Sequence, residues 1–194
     1  MEAEFIKSAF KPAHYPPPDR SEIAFAGKSN VGKSSLINTL LNHKGLAKTS
    51  QTPGRTQAIN FFNVNGKTNL IFADLPGYGF AKVPQSIKKE WKNMIETYLS
   101  TRQNLRLLFV LIDIRRSVSE SDTELLKWLK YIGLPTIAVL TKSDKLSKSQ
   151  QQKQVALTAR EIEGLTFRPP LPFSAKTRDG VEPLWNHIYE VTNL

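Results

Sequence analysis

The stretch Ile23-Ala24-Phe25-Ala26-Gly27-Lys28-Ser29-Asn30-Val31-Gly32-Lys33-Ser34-Ser35-Leu36-Ile37 decides the fold. Its first four residues read as a buried strand. The next eight fit G-x-x-x-x-G-K-[ST], and Leu36, Ile37, Leu40 and Leu41 then share one helical face. A glycine-rich loop between a strand and a helix points backbone N–H groups and the positive helix end at phosphate. Lys33 should reach the β- and γ-phosphates of a nucleotide, and the Ser34 hydroxyl should bind Mg²⁺. Residues Gly27 to Ser35 therefore form the predicted phosphate cradle.

Working outward, the less uniformly apolar stretch 58–64 and the apolar runs 70–73, 107–112, 136–140 and 171–173 read as strands. Asn65-Gly66 follows the first of these, the strongest short hairpin signal, so that strand should run antiparallel to the next. Helical spacing links Ile87, Trp91, Ile95, Tyr98 and Leu99, and again Val181, Leu184, Ile188 and Val191. Trp91 and Trp185 are read as core residues, and the polar run Gln150 to Gln154 as an exposed helix face. This predicts one α/β domain: a mostly parallel six-stranded sheet with one antiparallel strand and helices on both faces. The domain should span residues 21–194. Residues 1–20 should form an appendage, with a short helix over Glu4–Phe10 and a linker through Pro16-Pro17-Pro18.

Asp74-Leu75-Pro76-Gly77 closes the strand at 70–73. An Asp there lies in the ligand crevice of such a sheet and can hold Mg²⁺ through water, while Gly77 lets a backbone N–H approach the γ-phosphate. Thr56, in the loop 49–56, can complete the magnesium shell; Thr52 is its rival, separated by the turn-forming Pro53-Gly54. Thr141-Lys142-Ser143-Asp144 follows another strand and points to guanine. A carboxylate only accepts hydrogen bonds, and guanine offers adjacent N1–H and N2–H₂ donors where adenine presents a bare nitrogen. Asp144 is the specificity residue, the Lys142 stem covers the base, and Ser174-Ala175-Lys176 is placed to bring the Ala175 N–H to guanine O6.

Composition narrows the partners. The chain has 194 residues, no cysteine and a formal charge of +10, which excludes disulfides and thiolate chemistry and favours anionic partners. No apolar run is long enough to span a membrane, and Glu2 and Glu4 argue against a signal peptide, so the cytoplasm is expected.

These four ordered motifs resemble those of the translation-factor-related GTPases, whose Ras-like G domain the fold should share. Residues 31–38 together with Thr52-Pro53-Gly54-Arg55-Thr56-Gln57 and Asp74-Leu75-Pro76-Gly77-Tyr78-Gly79 look closest to the EngB/YihA (YsxC) family of ribosome-biogenesis GTPases. The resemblance implies a bacterial protein that binds GTP and GDP and assists assembly of the large ribosomal subunit; a monomer is expected. Gly54, Arg55 and Thr56 join the nucleotide-binding set on that basis. Thr141 departs from the general N-K-x-D pattern, putting one loop-bracing or base contact in doubt. Basic residues flank both switch segments, with Lys44, Lys48 and Arg55 and no acids in one, and Lys82, Lys88, Lys89, Lys92 and Arg102 against Glu90 and Glu96 in the other, so ribosomal RNA is the expected partner. A nucleotide-gated protein–protein switch without RNA contact is the alternative; an ATP-using P-loop kinase or transporter leaves Asp144 unexplained.

Tyr78 stands where Ras-like proteins carry a water-orienting glutamine. A phenol lacks the amide's paired donor and acceptor, so intrinsic hydrolysis should be slow. Arg55 is open to two roles, a finger acting within the chain or an RNA-phosphate contact. Asn30 is equally open, to a side-chain carbonyl ligating K⁺, as in relatives that use potassium, or to a loop-bracing amide.

Overall fold

The structure, a computed structural model, describes residues 2–47, 58–64, 69–78 and 85–193. It forms strands β1 (Ala3–Ala9), β2 (Glu22–Gly27), β3 (Ile59–Val64), β4 (Leu70–Asp74), β5 (Leu105–Asp113), β6 (Thr136–Thr141) and β7 (Leu171–Pro172). The helices are α1 (Lys33–Leu40), α2 (Gln85–Thr101), α3 (Glu120–Tyr131), α4 (Lys148–Glu161) and α5 (Val181–Thr192). The seven strands form one sheet in the order β1-β3-β4-β2-β5-β6-β7. Only β3 runs against the others, pairing antiparallel with β1 and β4. Val64 sits opposite Leu70, as the hairpin signal required; the Asn65-Gly66 turn itself lies outside the described residues.

The pleat sends alternate residues of each strand to opposite faces. In β2, Ile23 and Phe25 join one core with Leu36 and Ile37 of α1 and Leu184, Trp185 and Ile188 of α5. Ala24 and Ala26 join the other, with Tyr98 and Leu99 of α2 and Leu126 and Leu129 of α3. Phe25 lies 4.9 Å from Phe72 between ring centroids, and Trp185 stacks on Phe72 at 5.7 Å. Trp185 is thus a core residue, as expected, whereas the Ile87 and Trp91 side chains lie outside the described set.

The expected helix over Glu4–Phe10 is instead an edge strand. Seven residues are too few to sustain a helix on their own, and β3 offers an unpaired backbone edge. Side chains lock the pairing: Phe5 meets Phe62 edge-on at 5.8 Å, Ser8 donates to Asn60 at 2.7 Å and Asn63 to Glu4 at 3.0 Å. A bulge between Phe5 and Lys7 is the one irregularity in the ladder.

The segment after β1 is tied down at Glu22, whose carboxylate is completely buried. Arg102 pairs with it through Nε and Nη2, Tyr98 donates to it at 2.8 Å, and Arg102 Nη2 also donates to the Pro16 carbonyl at 2.7 Å. Burial first, and the Glu22 charge second, push the Tyr98 phenol well above its ordinary range, so it remains a donor. Removing one partner of a buried pair leaves an uncompensated charge at a cost of about 3–5 kcal/mol. Arg102→Met is therefore expected to lower unfolding free energy by about 3 kcal/mol in urea titration. A loss below ~1 kcal/mol would show that Glu22 is not dependent on this pair.

Candidate functional site

The strand β2 ends at Gly27 and the loop Lys28–Gly32 leads directly into α1. Gly32 caps the helix at φ 107°, a conformation that a side chain resists, and Asn30 takes φ 62°. Two backbone bonds shape the turn, Val31 N–H to the Lys28 carbonyl at 3.2 Å and Leu36 N–H to the Gly32 carbonyl at 2.9 Å. Lys33, Ser34 and Ser35 occupy the first turn of α1, beside the end of β4. There the Lys33 ammonium forms an ion pair with the Asp74 carboxylate, both side chains largely buried. The two groups assigned to phosphate and to Mg²⁺ thus share one spot.

The segment after Asp74 runs along the loop. The Leu75 N–H donates to the Phe25 carbonyl at 3.0 Å and the Tyr78 N–H to the Gly27 carbonyl at 3.3 Å. A Cβ on Gly77 would sit 3.0 Å from Ser29 Oγ and 3.3 Å from the Ser29 backbone nitrogen, so the two loops touch and only glycine fits unaided. The Ser29 hydroxyl has no hydrogen-bond partner in this contact.

Two side chains of these loops turn to the start of α3. The Lys28 ammonium reaches Ser119 and, at 3.3 Å, Asp122, at the start of α3. The Tyr78 hydroxyl donates to the same Asp122 at 3.0 Å rather than facing the cradle. Asp122 also accepts from the Ser119 N–H as part of a capping box, so a buried carboxylate that local sequence demands offers further acceptor capacity to both loops. Burial, followed by the Asp122 charge, raises the Tyr78 phenol far above its ordinary value and keeps it protonated. Lys28 contributes its backbone to the cradle and its charge elsewhere.

The residues expected to read the base follow β6. The Thr141 hydroxyl, buried, donates to the Val31 carbonyl at 2.6 Å, with the Ile112 carbonyl at 3.2 Å. The loop brace put in doubt by this threonine is therefore made. Lys142 takes φ 61° and its ammonium donates to the Asn30 carbonyl at 2.8 Å. Asp144 accepts from Ser174 Oγ at 2.8 Å, and Ser174 in turn accepts from the Lys176 and Thr177 N–H groups at 3.2 Å. Ala175 packs at the edge of the core between them. Ser143 N–H bonds the Phe173 carbonyl at 3.1 Å, which joins the β6 loop to the β7 loop.

The structure thus brings residues 27–35, Asp74, Gly77, 141–144 and 174–176 to the C-terminal edge of the sheet, where open α/β sheets bind ligands. Thr52, Gly54, Arg55 and Thr56 lie outside the described residues. Three supporting residues escaped the sequence reading. Gln151 donates to the Ser143 and Leu146 carbonyls at 2.8 and 3.0 Å, bracing the base loop from α4. Asp122 has been described, and Asp113 ends β5 beside Thr141. The rule that picked Asp74, a carboxylate at the C-terminal end of a strand, also picks Asp113.

Residues 22–142 match the family model described as 50S ribosome-binding GTPase. The chain is 54% identical over 186 residues to the "Probable GTP-binding protein EngB" of Geobacter metallireducens, covering 96% of this chain and 90% of the relative. It is 54% identical over 187 residues to the protein of the same name from Syntrophus aciditrophicus, covering 95% and 92%. Among solved structures, a "probable GTP-binding protein engB" superposes with a TM-score of 0.70 at 27% identity, covering 89% of this chain and 99% of that one. The Ras-like fold recurs in Era solved with MgGDPNP and a 16S ribosomal RNA fragment, at TM-score 0.68 and 23% identity, over 88% of this chain and 56% of Era.

Proposed function

The chain belongs to the EngB family of GTP-binding proteins, GTP hydrolases, and from that premise we propose that it is a cytoplasmic, magnesium-dependent switch in assembly of the large ribosomal subunit. One observation supports the reading: the loop 27–34 and the segment carrying Asp144 lie at one edge of one sheet, joined by the Thr141 and Lys142 bonds to Val31 and Asn30. Nucleotide binding on one loop is thereby felt at the other.

The donors present suit Mg²⁺. Ser34 supplies a hydroxyl and Asp74 a carboxylate that already accepts a cation, while no cage of three or more His, Cys, Asp or Glu side chains exists among the described residues. Magnesium prefers such a site, keeping waters and taking phosphate oxygens. Bound there, the ion would neutralise charge that develops on the phosphates; Asp74 would hold it through water, and Thr56 would complete the shell. Lys33 leaves Asp74 to take the β- and γ-phosphate oxygens, and the Gly77 N–H faces the γ-phosphate. Water attacks the γ-phosphorus as its bond to the GDP oxygen breaks. Tyr78 lends that water nothing, since its hydroxyl is committed to Asp122, and this supports slow intrinsic hydrolysis.

Asn30 is exposed and its backbone carbonyl is held by Lys142, leaving its amide side chain to ligate K⁺ beside the phosphates. Arg55 is assigned to an RNA phosphate. The ribosomal partner rests on the family model's description and on the charge of +10. Co-sedimentation with purified large subunits is expected to be stronger with a non-hydrolysable GTP analogue than with GDP. It should also weaken steeply between 50 and ~200 mM salt, as counterion release requires. Equal binding in both nucleotide states would sink the switch, and salt-insensitive binding would favour a protein surface over RNA.

A further inference from the structure

Asp113 closes β5 as Asp74 closes β4, yet the phosphate chemistry above makes no use of it. Its carboxylate is 6% exposed. Arg115 takes it from one side, through the backbone N–H at 3.1 Å, Nε at 2.9 Å and Nη2 at 2.7 Å. That pairing alone would satisfy a structural carboxylate. Nonetheless the Lys142 ammonium also lies 3.0 Å from Oδ2, while it donates to the Asn30 carbonyl at 2.8 Å. The Arg115 bonds first, and those of Lys142 after them, hold the Asp113 carboxyl far below the ordinary carboxylate range against the opposing effect of burial.

A lysine side chain is long and rotamer-rich, and fixing it in one pose is entropically unfavourable. Here the stem of Lys142 starts from a backbone at φ 61° and ends on two acceptors, Asn30 of the phosphate loop and Asp113 of β5. Both acceptors line the same cleft of about 150 Å³, together with Lys142 itself. With its head anchored twice, the stem is set before any ligand arrives. We propose that Asp113 is a positioning residue for nucleotide binding, acting through Lys142 to hold its stem over the guanine face and its ammonium on the phosphate loop. This rests on the reading of Lys142 given above.

The test is a coupling experiment on the full chain, using fluorescent GDP and a fluorescent GTP analogue. Asp113→Ala should weaken both nucleotides about tenfold, through faster dissociation. In a Lys142→Met background the same substitution should have an effect of less than twofold. Arg115→Ala, which leaves the Lys142 contact in place, should change affinity less than twofold. Thermal unfolding without nucleotide, run in parallel, separates any general loss of structure. If Asp113→Ala weakens binding equally with and without Lys142, or if Arg115→Ala weakens it as much, the positioning role is overturned while the reading of Lys142 stands. If Lys142→Met alone leaves affinity unchanged, that underlying reading fails and the proposal with it.

Discussion

Asp144→Asn is expected to reverse base preference: GDP affinity should fall at least about a hundredfold, and xanthosine diphosphate should become the better ligand. One carboxylate oxygen of Asp144 already accepts from Ser174 at 2.8 Å. Lys145 approaches the other only at 3.8 Å, which leaves that oxygen to the base. Guanine presents two donors along that edge, and a carboxylate meets both. An asparagine keeps its carbonyl for Ser174 and turns its NH₂ toward the same donors. Two donors then face each other unpaired, and sites built around such bonds discriminate by about 10⁴ or more. Xanthine carries a carbonyl in place of the exocyclic amine and accepts what the amide offers. The loop itself should survive, because Ser143 is held by the Phe173 carbonyl and by Gln151, neither of which touches Asp144. Calorimetric titration of the variant with both diphosphates checks this. Equal affinity for the two would remove Asp144 from base selection.

The order of elements was legible because β2, β4, β5 and β6 are buried almost throughout and so read as apolar runs. The six strands from β2 onward sit within two residues of the runs identified by hydropathy. The first strand was not legible. Ala3–Ala9 carries a helix-compatible spacing and no clear strand alternation, and what makes it a strand is the free edge of β3, a tertiary fact. The same limit applies to side-chain direction. The P-loop pattern places Lys28 near phosphate by sequence, but its ammonium belongs to Asp122, ninety-four residues away. Thr141 shows the reverse. A residue that departs from a familiar pattern still braces the loop, because its hydroxyl reaches the Val31 carbonyl at 2.6 Å. Motifs name the residue types, and the register between β5 and β6 determines which of them meet.

Lys33→Met is expected to have the second large effect, and it should appear in two measurements with a single cause. Charge-assisted hydrogen bonds contribute about 1.5–3 kcal/mol each, so losing one to each of two phosphates should weaken GTP binding by about 3 kcal/mol or more, a hundredfold or greater. The second effect needs no nucleotide. The Lys33 ammonium is the only cation paired with Asp74 among the described residues, and the Asp74 side chain is 7% exposed. Methionine fills the space of the stem and leaves that carboxylate buried without its charge partner. Unfolding without nucleotide should therefore begin at lower temperature in the variant. Millimolar Mg²⁺, absent any nucleotide, should restore part of the loss, because a divalent ion held by Asp74 and Ser34 replaces the missing positive charge. The unmodified protein should respond less, since its own ammonium competes for the same carboxylate. Asp74→Asn should act oppositely: Lys33 is released, and GDP should bind more tightly than to the unmodified chain when Mg²⁺ is chelated. A Lys33→Met melting curve that matches the unmodified protein and ignores Mg²⁺ would mean that the ion pair does not support the fold. The shared position of the phosphate lysine and the magnesium carboxylate would then carry no energetic weight.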